Sequence, residues 1–138
     1  MSGTINLRPS AAINKAEIKT FEDLQVWKSC RRLRQRIYSI TNCYPSEERY
    51  RLVDQLRRAA ISVTANIAEG YGRFHYQENI QFCRQSRGSL YEILDHLTTS
   101  LDQAYISEDC FREFEAQILT SIRLINGYLR MLQKSKGA

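Results

Sequence analysis

The 138-residue sequence contains few of the residue types that carry chemistry or interrupt helices. It has two histidines, His75 and His96, and two prolines, Pro9 and Pro45. A nucleophilic site needs a serine or cysteine beside a histidine that a third group orients, and neither histidine stands in such a pattern. The scarcity of proline favours long helices. The sequence therefore predicts a helical protein that is not an enzyme.

The four cysteines are too widely spaced for a metal site. No CxxC pair occurs, and no histidine lies close to a cysteine, so zinc is not indicated. Glu92 and His96 are four residues apart, but a di-metal site in a helical bundle needs Glu-x-x-His pairs on two helices. We therefore expect no metal and no cofactor, and reduced thiols in a cytoplasmic protein at the positions Cys30, Cys43, Cys83 and Cys110.

Long apolar runs are also absent, and their absence argues against a membrane role. A membrane-spanning helix needs ~20 mostly apolar residues, and the apolar runs here are only a few residues long. Residues 1–20 are polar and lack the apolar core of a signal peptide. We interpret residues 1–20 as a flexible arm and residues 135–138 as a tail.

What the sequence does contain is apolar residues at steps of three and four, the period of an amphipathic helix. Four such segments run from about 22 to 42, from Ser46 to Gly70, from His75 or Tyr76 to about 105, and from Ser107 onward. Ser46 and Ser107 are each followed by two acidic residues, which is typical of a helix start. Short connections between long helices predict an all-α protein, an antiparallel up-down four-helix bundle over residues 21–134.

Gly70, Gly72 and Gly88 lie in or next to the second and third segments, and we expect each to serve backbone geometry. The stretch NIAEGYGR, residues 66–73, matches neither phosphate-binding glycine pattern and follows a helix instead of a strand. Gly70 and Gly72 are predicted to take positive φ and end the second helix. Gly88 lies inside the third helical pattern, where glycine is unfavourable, so it predicts a tight helix crossing.

Apolar residues outside the main stripes indicate self-association. A bundle helix needs one apolar face, and a second one suggests a partner. A second copy of the chain is the simplest partner, and cyclic symmetry is the usual result. The residues concerned are Val53, Ile61, Phe82, Tyr91, Ile93, Leu119 and Leu124.

The net charge is +5, and its basic excess lies towards the N-terminus. The first helical segment carries five basic residues with no acidic residue between them, whereas residues 75–105 carry a net charge of −2. Such a helix face is most often only solvated, but it also suits a polyanion or an acidic surface of another subunit. The candidate nucleic-acid contacts are Lys28, Arg31, Arg32, Arg34, Arg36, Arg57, Arg58 and Arg73.

Several motifs in order resemble a known family. They are FEDLQVW at residues 21–27, QLRRAAISV at 55–63, NIAEGYGR at 66–73, Phe82, and GSLYE at 88–92. Together they resemble the four-helix-bundle proteins encoded in intervening sequences of bacterial large-subunit ribosomal RNA genes, over about residues 21–133. Two positions depart from the family pattern: His75 replaces a serine before the third helix, and Ser86 replaces a small apolar residue.

The resemblance implies an up-down bundle, a homopentamer and no enzymatic activity. The wider superfamily includes accessory variability-determinant proteins of diversity-generating retroelements. Those proteins form basic pentameric barrels that bind a reverse transcriptase and nucleic acid, so RNA or DNA and a reverse transcriptase are candidate partners here. Glu92, in the GSLYE segment, is expected to pair with Arg73 or Arg58.

Two functions remain open from the sequence. The first is a non-catalytic, oligomeric protein that binds nucleic acid through its basic face. The alternative is an oligomeric protein-interaction scaffold with no nucleic-acid role, whose basic face meets an acidic protein surface. An enzyme has little support because no acid, base or metal constellation is clustered.

Overall fold

The computed structural model describes residues 17–137, and within that range it contains four α-helices and no strand. The helices are α1 (Gln25–Thr41), α2 (Leu52–Gly72), α3 (Tyr76–Asp102) and α4 (Glu108–Gly137). Two short 3-10 turns, Phe21–Asp23 and Ser46–Glu48, precede α1 and α2. The predicted all-α class is confirmed.

The four helices form a bundle around one core. α1 packs on α2 and α4, and α3 packs on the same two helices, whereas no Cα atom of α1 lies within 8 Å of one of α3. Each helix presents one apolar stripe to the interior. The largest fully buried side chains come from all four helices and include Leu33, Ile37, Leu56, Ile67, Leu90, Leu97, Phe114 and Ile118.

Hydrogen bonds show how neighbouring helices are aligned. Along α1 and α2, Arg34 pairs with Thr64 and Arg57 pairs with Thr41, so residue numbers rise on one helix as they fall on the other. The same opposite order holds for α1 and α4, where Ser29 pairs with Ser121 and Arg36 with Gln117. The hydrogen bonds between α2 and α3, and those between α3 and α4, also join residues in opposite order, so each of these helix pairs is antiparallel.

Two of the predicted helix starts are confirmed. α4 begins directly after Ser107, whose Oγ accepts the backbone N–H of Cys110 at 3.0 Å, as an N-cap serine does. α3 begins at Tyr76, one of the two expected positions, although the side chain of His75 makes no capping hydrogen bond.

α1 begins later than the predicted position near residue 22. Phe21–Asp23 is a 3-10 turn instead, and Leu24 is extended with φ −74° and ψ 131°, so the α-helix starts at Gln25. The carboxylate of Asp23 accepts the backbone N–H groups of Lys19 and Thr20. These two bonds lower the pKa of Asp23 from its usual value.

The prediction that α2 begins at Ser46 is wrong. Ser46–Glu48 forms a single 3-10 turn, and the α-helix begins at Leu52 after Arg51, whose φ of −124° and ψ of −101° are not helical. Glu48 lies next to this interruption and makes two hydrogen bonds there. Its Oε1 accepts the N–H of Leu52 at 3.4 Å, while its Oε2 accepts the hydroxyl of Tyr105 at 2.8 Å, so it ties the start of α2 to the connection before α4.

The predicted positive φ of Gly70 and Gly72 is wrong, because no glycine among residues 17–137 has a positive φ. Gly70 lies inside α2, and Gly72 is its last residue, so the helix ends two residues later than Gly70. The left-handed residue is Phe74, with φ 54°, which follows the C-terminal cap Arg73 and reverses the chain into α3. Only three residues separate the two helices.

Gly70 is required for a different reason, which is the close approach of α3. A Cβ atom at Gly70 would lie 2.6 Å from Oδ1 of Asn79, 3.0 Å from Cβ of Phe82 and 3.2 Å from the carbonyl oxygen of Asn79. The tight crossing predicted at Gly88 is absent, because a Cβ there would meet nothing within 4 Å. The close contact is therefore one helix turn into α3, opposite the end of α2.

Small polar side chains continue this contact along α2 and α3. Ser86, which is fully buried, donates its hydroxyl to the carbonyl oxygen of Val63 at 2.7 Å. Ser62 and Ser89 share a hydrogen bond of 3.0 Å between their hydroxyls. Ser86 is one of the two departures from the family pattern, and its hydroxyl has a partner, so its burial leaves no unsatisfied polar group.

Some of the apolar residues expected on a second face belong to the core. Val53 and Ile93 are buried. Phe82 and Leu124 are half-buried. Ile61, Tyr91 and Leu119 remain exposed, at 46%, 53% and 41% of their surface. The prediction of a self-association surface therefore depends on these three exposed residues.

The predicted ends of the domain extend partly outside the described residues. Residues 1–16 and 138 lie outside them, so the expected arm is visible only at residues 17–20, of which Lys19 and Thr20 contact Asp23. α4 continues through Gly137, so residues 135–137 of the expected tail are helical.

The structure predicts opposite effects for alanine at two glycines. Gly70→Ala should lower the free energy of unfolding by up to about 2 kcal/mol, because overpacking typically costs ~1–3 kcal/mol and the helix-propensity gain of ~1 kcal/mol offsets only part of it. Gly88→Ala, where the new methyl group meets nothing, should raise it by up to about 1 kcal/mol. Urea unfolding of both variants tests this, and a Gly70→Ala protein as stable as Gly88→Ala would contradict it.

Candidate nucleic-acid interface

The basic residues of α1 are distributed around the helix, so they face different neighbours. No aspartate or glutamate occurs from Leu24 to Ser46, and five lysines and arginines lie in that range. Successive residues of an α-helix are about 100° apart, so residues three and four apart share a face. The structure separates three outward-facing cations from two that lie against other helices.

The outward group consists of Lys28, Arg31 and Arg32, and we call it the α1 basic surface. With Glu22, Trp27 and Gln35 they line a surface depression of about 570 Å³. The guanidinium carbon of Arg31 lies 5.8 Å from the centroid of the Trp27 ring, within cation–π distance. Because the indole is buried, it provides a fixed platform for Arg31.

The charges of the α1 basic surface are not neutralised by ion pairs. Within residues 17–137, no carboxylate lies within 4.0 Å of the three cationic groups. Glu22 lines the same depression but makes no ion pair with them. Arginine and lysine in this state keep hydrogen-bond donors available to a ligand, and arginine presents them in the planar fork that matches phosphate.

Arg34 and Arg36 face neighbouring helices instead of the α1 basic surface. Arg34 is half-buried and donates from Nη1 to the hydroxyl of Thr64 on α2 at 2.7 Å. Arg36 bonds to Gln117 on α4, forms a 3.3 Å ion pair with Glu113, and lies 4.3 Å above the ring of Phe114. Both side chains therefore hold α1 against its neighbours.

Arg57 on α2 has a similar bracing role at the end of α1. It donates to the hydroxyl of Thr41, to the side-chain oxygen of Asn42 and to the carbonyl oxygen of Tyr38. Its guanidinium carbon also lies 4.7 Å from the centroid of the Tyr38 ring. Arg58, the next residue, is exposed and has no ion pair in the described part of the chain.

The predicted pairing of Glu92 with Arg73 or Arg58 is wrong. Glu92 contacts Nε2 of His96 on its own helix at 3.2 Å. Arg73 forms a 2.9 Å ion pair with Glu69, which raises the pKa of Arg73, and it lies 5.2 Å from the centre of the Phe82 ring. Residues four apart on a helix are neighbours. Glu92 and Arg73 therefore each pair with a residue of the same helix instead of with each other.

A second basic group was missed by sequence reasoning, and we call it the α3–α4 arginine cleft. Arg84 and Arg87 on α3 and Arg130 on α4 line a depression of about 320 Å³ together with Asn126, Leu129 and Gln133. The net charge of residues 75–105 concealed it, because the acidic residues of that segment lie outside the cleft. The sequence does contain a signal for this cleft, because residues 79–91 and 116–137 include arginines but no aspartate or glutamate.

The remaining reactive groups show little sign of chemistry. All four cysteines are free thiols, and Cys30 and Cys83 are buried while Cys43 is exposed. Burial raises the pKa of Cys30 and of Cys83 to about 12, so both are protonated at neutral pH. Residues 17–137 contain no group of three or more His, Cys, Asp or Glu side chains that could hold a metal.

The described helices also lack the length of apolar sequence that a lipid bilayer requires.

Comparison with known proteins identifies one family. A family model described as 23S rRNA-intervening sequence protein matches residues 22–127. The match includes α1, α2, α3 and most of α4, with the whole α1 basic surface. Arg130 and Gln133 of the cleft lie beyond the matched residues. A comparison with curated proteins gives no match.

The two kinds of arginine predict different effects on stability. Arg57→Ala should lower the free energy of unfolding by roughly 1–3 kcal/mol, because it removes three hydrogen bonds and a ring contact from a half-buried site. Arg32→Ala should leave it unchanged within about 0.5 kcal/mol, as is usual for an exposed residue. Thermal and urea unfolding measure both, and equal losses would show that Arg32 is also structural.

Proposed function

The chain belongs to the 23S rRNA-intervening sequence protein family, and from this premise we propose that it is a non-catalytic accessory protein that binds nucleic acid. The proposal depends on one observation. Lys28, Arg31 and Arg32 share one surface of a helix without acidic residues, Arg31 and Arg32 are exposed, and none of the three forms an ion pair within residues 17–137. A polyanion is the ligand whose chemistry matches such a surface.

The contacts expected at this surface are with phosphate groups. Arg31 and Arg32 supply paired N–H donors, Lys28 adds a charge one turn earlier, and the Trp27 contact limits the motion of Arg31. Arg34, Arg36 and Arg57 are engaged with other helices, and Arg73 is paired with Glu69. Of the eight candidates, the three residues of the α1 basic surface are therefore proposed as the principal contacts, with exposed Arg58 as a secondary one.

Structured RNA is the proposed ligand. The family description names an intervening sequence of 23S ribosomal RNA, which gives RNA priority over DNA. Phosphate contacts alone carry no base information. We therefore expect this surface to prefer RNA by shape, with little dependence on base sequence. A reverse transcriptase is retained as a proposed partner from the superfamily resemblance.

The same proposal includes the assembly. The opposite order of residue numbers in every neighbouring helix pair supports an up-down bundle. A ring of more than two copies needs two different surfaces that meet. Exposed Ile61, Tyr91 and Leu119 lie on three different helices and provide apolar area for such contacts. The resemblance favours five copies, in a cytoplasmic protein.

A protein-interaction scaffold is the second candidate, and the end of the bundle at the α2–α3 turn favours it. Phe74 is 89% exposed there, beside a depression of about 470 Å³ that is lined by further apolar residues. Tyr76 and Met131 of this depression are also exposed. Exposed aromatic side chains often mark protein contact sites. Capture of a protein partner that survives nuclease treatment and depends on Phe74 would favour this function.

The RNA-binding proposal predicts a specific change in salt dependence. Binding of a structured RNA fragment should weaken steeply as salt rises, because each phosphate contact releases counterions. The triple variant Lys28→Ala, Arg31→Ala and Arg32→Ala should bind more weakly at low salt. Its slope of log K against log salt should be smaller by roughly 2 to 3. Fluorescence anisotropy at several salt concentrations measures both quantities.

A control with the same loss of charge separates the surface from net charge. Arg49, Arg51 and Arg112 are exposed and lie outside the α1 basic surface, and of the three only Arg112 is ion-paired within residues 17–137, with Glu108 and Glu115. Their replacement by alanine removes three positive charges as well. If this control loses as much affinity as the α1 variant, or if the wild-type protein does not bind RNA at low salt, the proposal is rejected.

The assembly is tested by the molar mass in solution. Light scattering should give a mass well above the 16.1 kDa of one chain, and roughly 80 kDa for five copies. Tyr91→Glu should reduce the mass, because it places a charge in an apolar contact, whereas Tyr50→Glu on the exposed α1–α2 connection should not. A wild-type mass of one chain would contradict the ring.

A further inference from the structure

The α3–α4 arginine cleft brings cationic and amide groups from two helices to one place. Arg84 and Arg87 are three residues apart on α3 and therefore neighbours on one face. Arg130 reaches the same depression from α4, where Asn126 and Gln133 are one turn away on either side. The cleft thus combines three guanidinium groups with two side-chain amides.

The charge of the cleft is uncompensated over a long stretch of both helices. Residues 79–91 of α3 and 116–137 of α4 contain no aspartate or glutamate. Within the described chain, Arg84, Arg87 and Arg130 form no ion pair. Three like charges repel each other in the absence of a counterion, so an anion in the cleft would be favoured by all three.

One internal hydrogen bond orients the cleft. Nη1 of Arg87 donates to Oδ1 of Asn126 at 2.7 Å, across the two helices. This bond uses the amide oxygen, so the amide NH₂ group of Asn126 stays available as a donor. Arg87 is half-buried, whereas Arg84 and Arg130 are exposed, which places one fixed guanidinium at the base and two at the rim.

We infer that the α3–α4 arginine cleft binds a phosphate group of a nucleic-acid backbone, as a second site separate from the α1 basic surface. Like a carboxylate, a backbone phosphodiester has one negative charge and two charged oxygens, which fit the planar fork of an arginine. Unlike a single carboxylate, it recurs at every nucleotide, so neighbouring phosphates can engage the other guanidinium and amide groups that line the cleft. The acid-free stripe also extends along both helices beyond the cleft, as a polyanionic backbone requires. A single carboxylate of a protein partner would leave most of these donors unused.

The two sites occupy different sides of the bundle. No Cα atom of α1 lies within 8 Å of one of α3, and the cleft uses α3 and the C-terminal half of α4. Sites without shared residues should contribute independently to binding. The inference that the phosphate belongs to nucleic acid depends on the proposed function, but phosphate binding by the cleft does not.

The first experiment isolates the cleft from the α1 basic surface. The parent is the full chain with Lys28→Gln, Arg31→Gln and Arg32→Gln. Inorganic tripolyphosphate should raise its Tm, because a ligand that binds only the folded state stabilises it. Adding Arg84→Gln, Arg87→Gln and Arg130→Gln should abolish the rise, whereas adding Arg49→Gln, Arg51→Gln and Arg112→Gln should preserve it. No rise in the parent, or an equal rise in both derivatives, would overturn the inference.

The second experiment identifies the source of the anion. In an otherwise wild-type chain, Arg84→Gln, Arg87→Gln and Arg130→Gln should reduce the salt slope for structured RNA by roughly 2 to 3 and weaken binding at least several-fold at low salt. Poly-glutamate of equal charge should bind the wild-type chain more weakly than the RNA does. Its affinity should be the same for this variant and for a control with Arg49→Gln, Arg51→Gln and Arg112→Gln. An equal or larger effect with poly-glutamate would assign the cleft to an acidic protein partner and overturn the nucleic-acid inference.

The two proposals fail in different ways. Absence of RNA binding by the wild-type protein would reject the proposed function, and the tripolyphosphate result would still decide whether the cleft binds phosphate. RNA binding that depends on the α1 basic surface alone, with no effect of the cleft substitutions, would retain the function and reject the second site.

Discussion

The close approach of α3 to α2 at Gly70 is the contact on which the rest of the bundle depends. It places Asn79 opposite Gly70, where no side chain larger than hydrogen fits without a shift. Nδ2 of Asn79 then donates to the hydroxyl of Tyr128, which joins α3 to α4. The alignment of α3 with α4 follows, and with it the position of Arg87 opposite Asn126. The stretch NIAEGYGR, residues 66–73, therefore sets the helix register through Gly70.

The bundle sorts its arginines into structural and available groups. Those at the edges of a helix, such as Arg36 and Arg57, find hydroxyl, amide, carboxylate or ring partners on the next helix. Those that are exposed on acid-free stretches of a helix, such as Arg32 and Arg84, form no ion pair within the described residues. Available charge is thus a consequence of helix orientation, and it is a better guide to binding than net charge.

Features set by local sequence were predictable, whereas those set by contact between helices were not. The all-α class, the buried stripes and the cap at Ser107 follow from periodicity and local hydrogen bonding. The positions of Gly70 and Gly88 were interpreted wrongly because the spacing of α2 and α3 does not appear in either helix alone. Glu92 is a different case, because its partner His96 lies four residues along the same helix and was available to local reasoning. The α3–α4 arginine cleft forms only when α3 and α4 are aligned, so the net charge of each segment alone does not indicate it.

The central claim is that RNA contacts the outward face of α1. Photo-crosslinking of the wild-type protein to RNA that contains 4-thiouridine, followed by mass spectrometry, locates the contact directly. The account predicts crosslinked peptides that contain residues 27–32, beside Trp27 and the three cations of the α1 basic surface. Crosslinks confined to the α2–α3 turn or to the acid-rich first turns of α4, with none on α1, would contradict it.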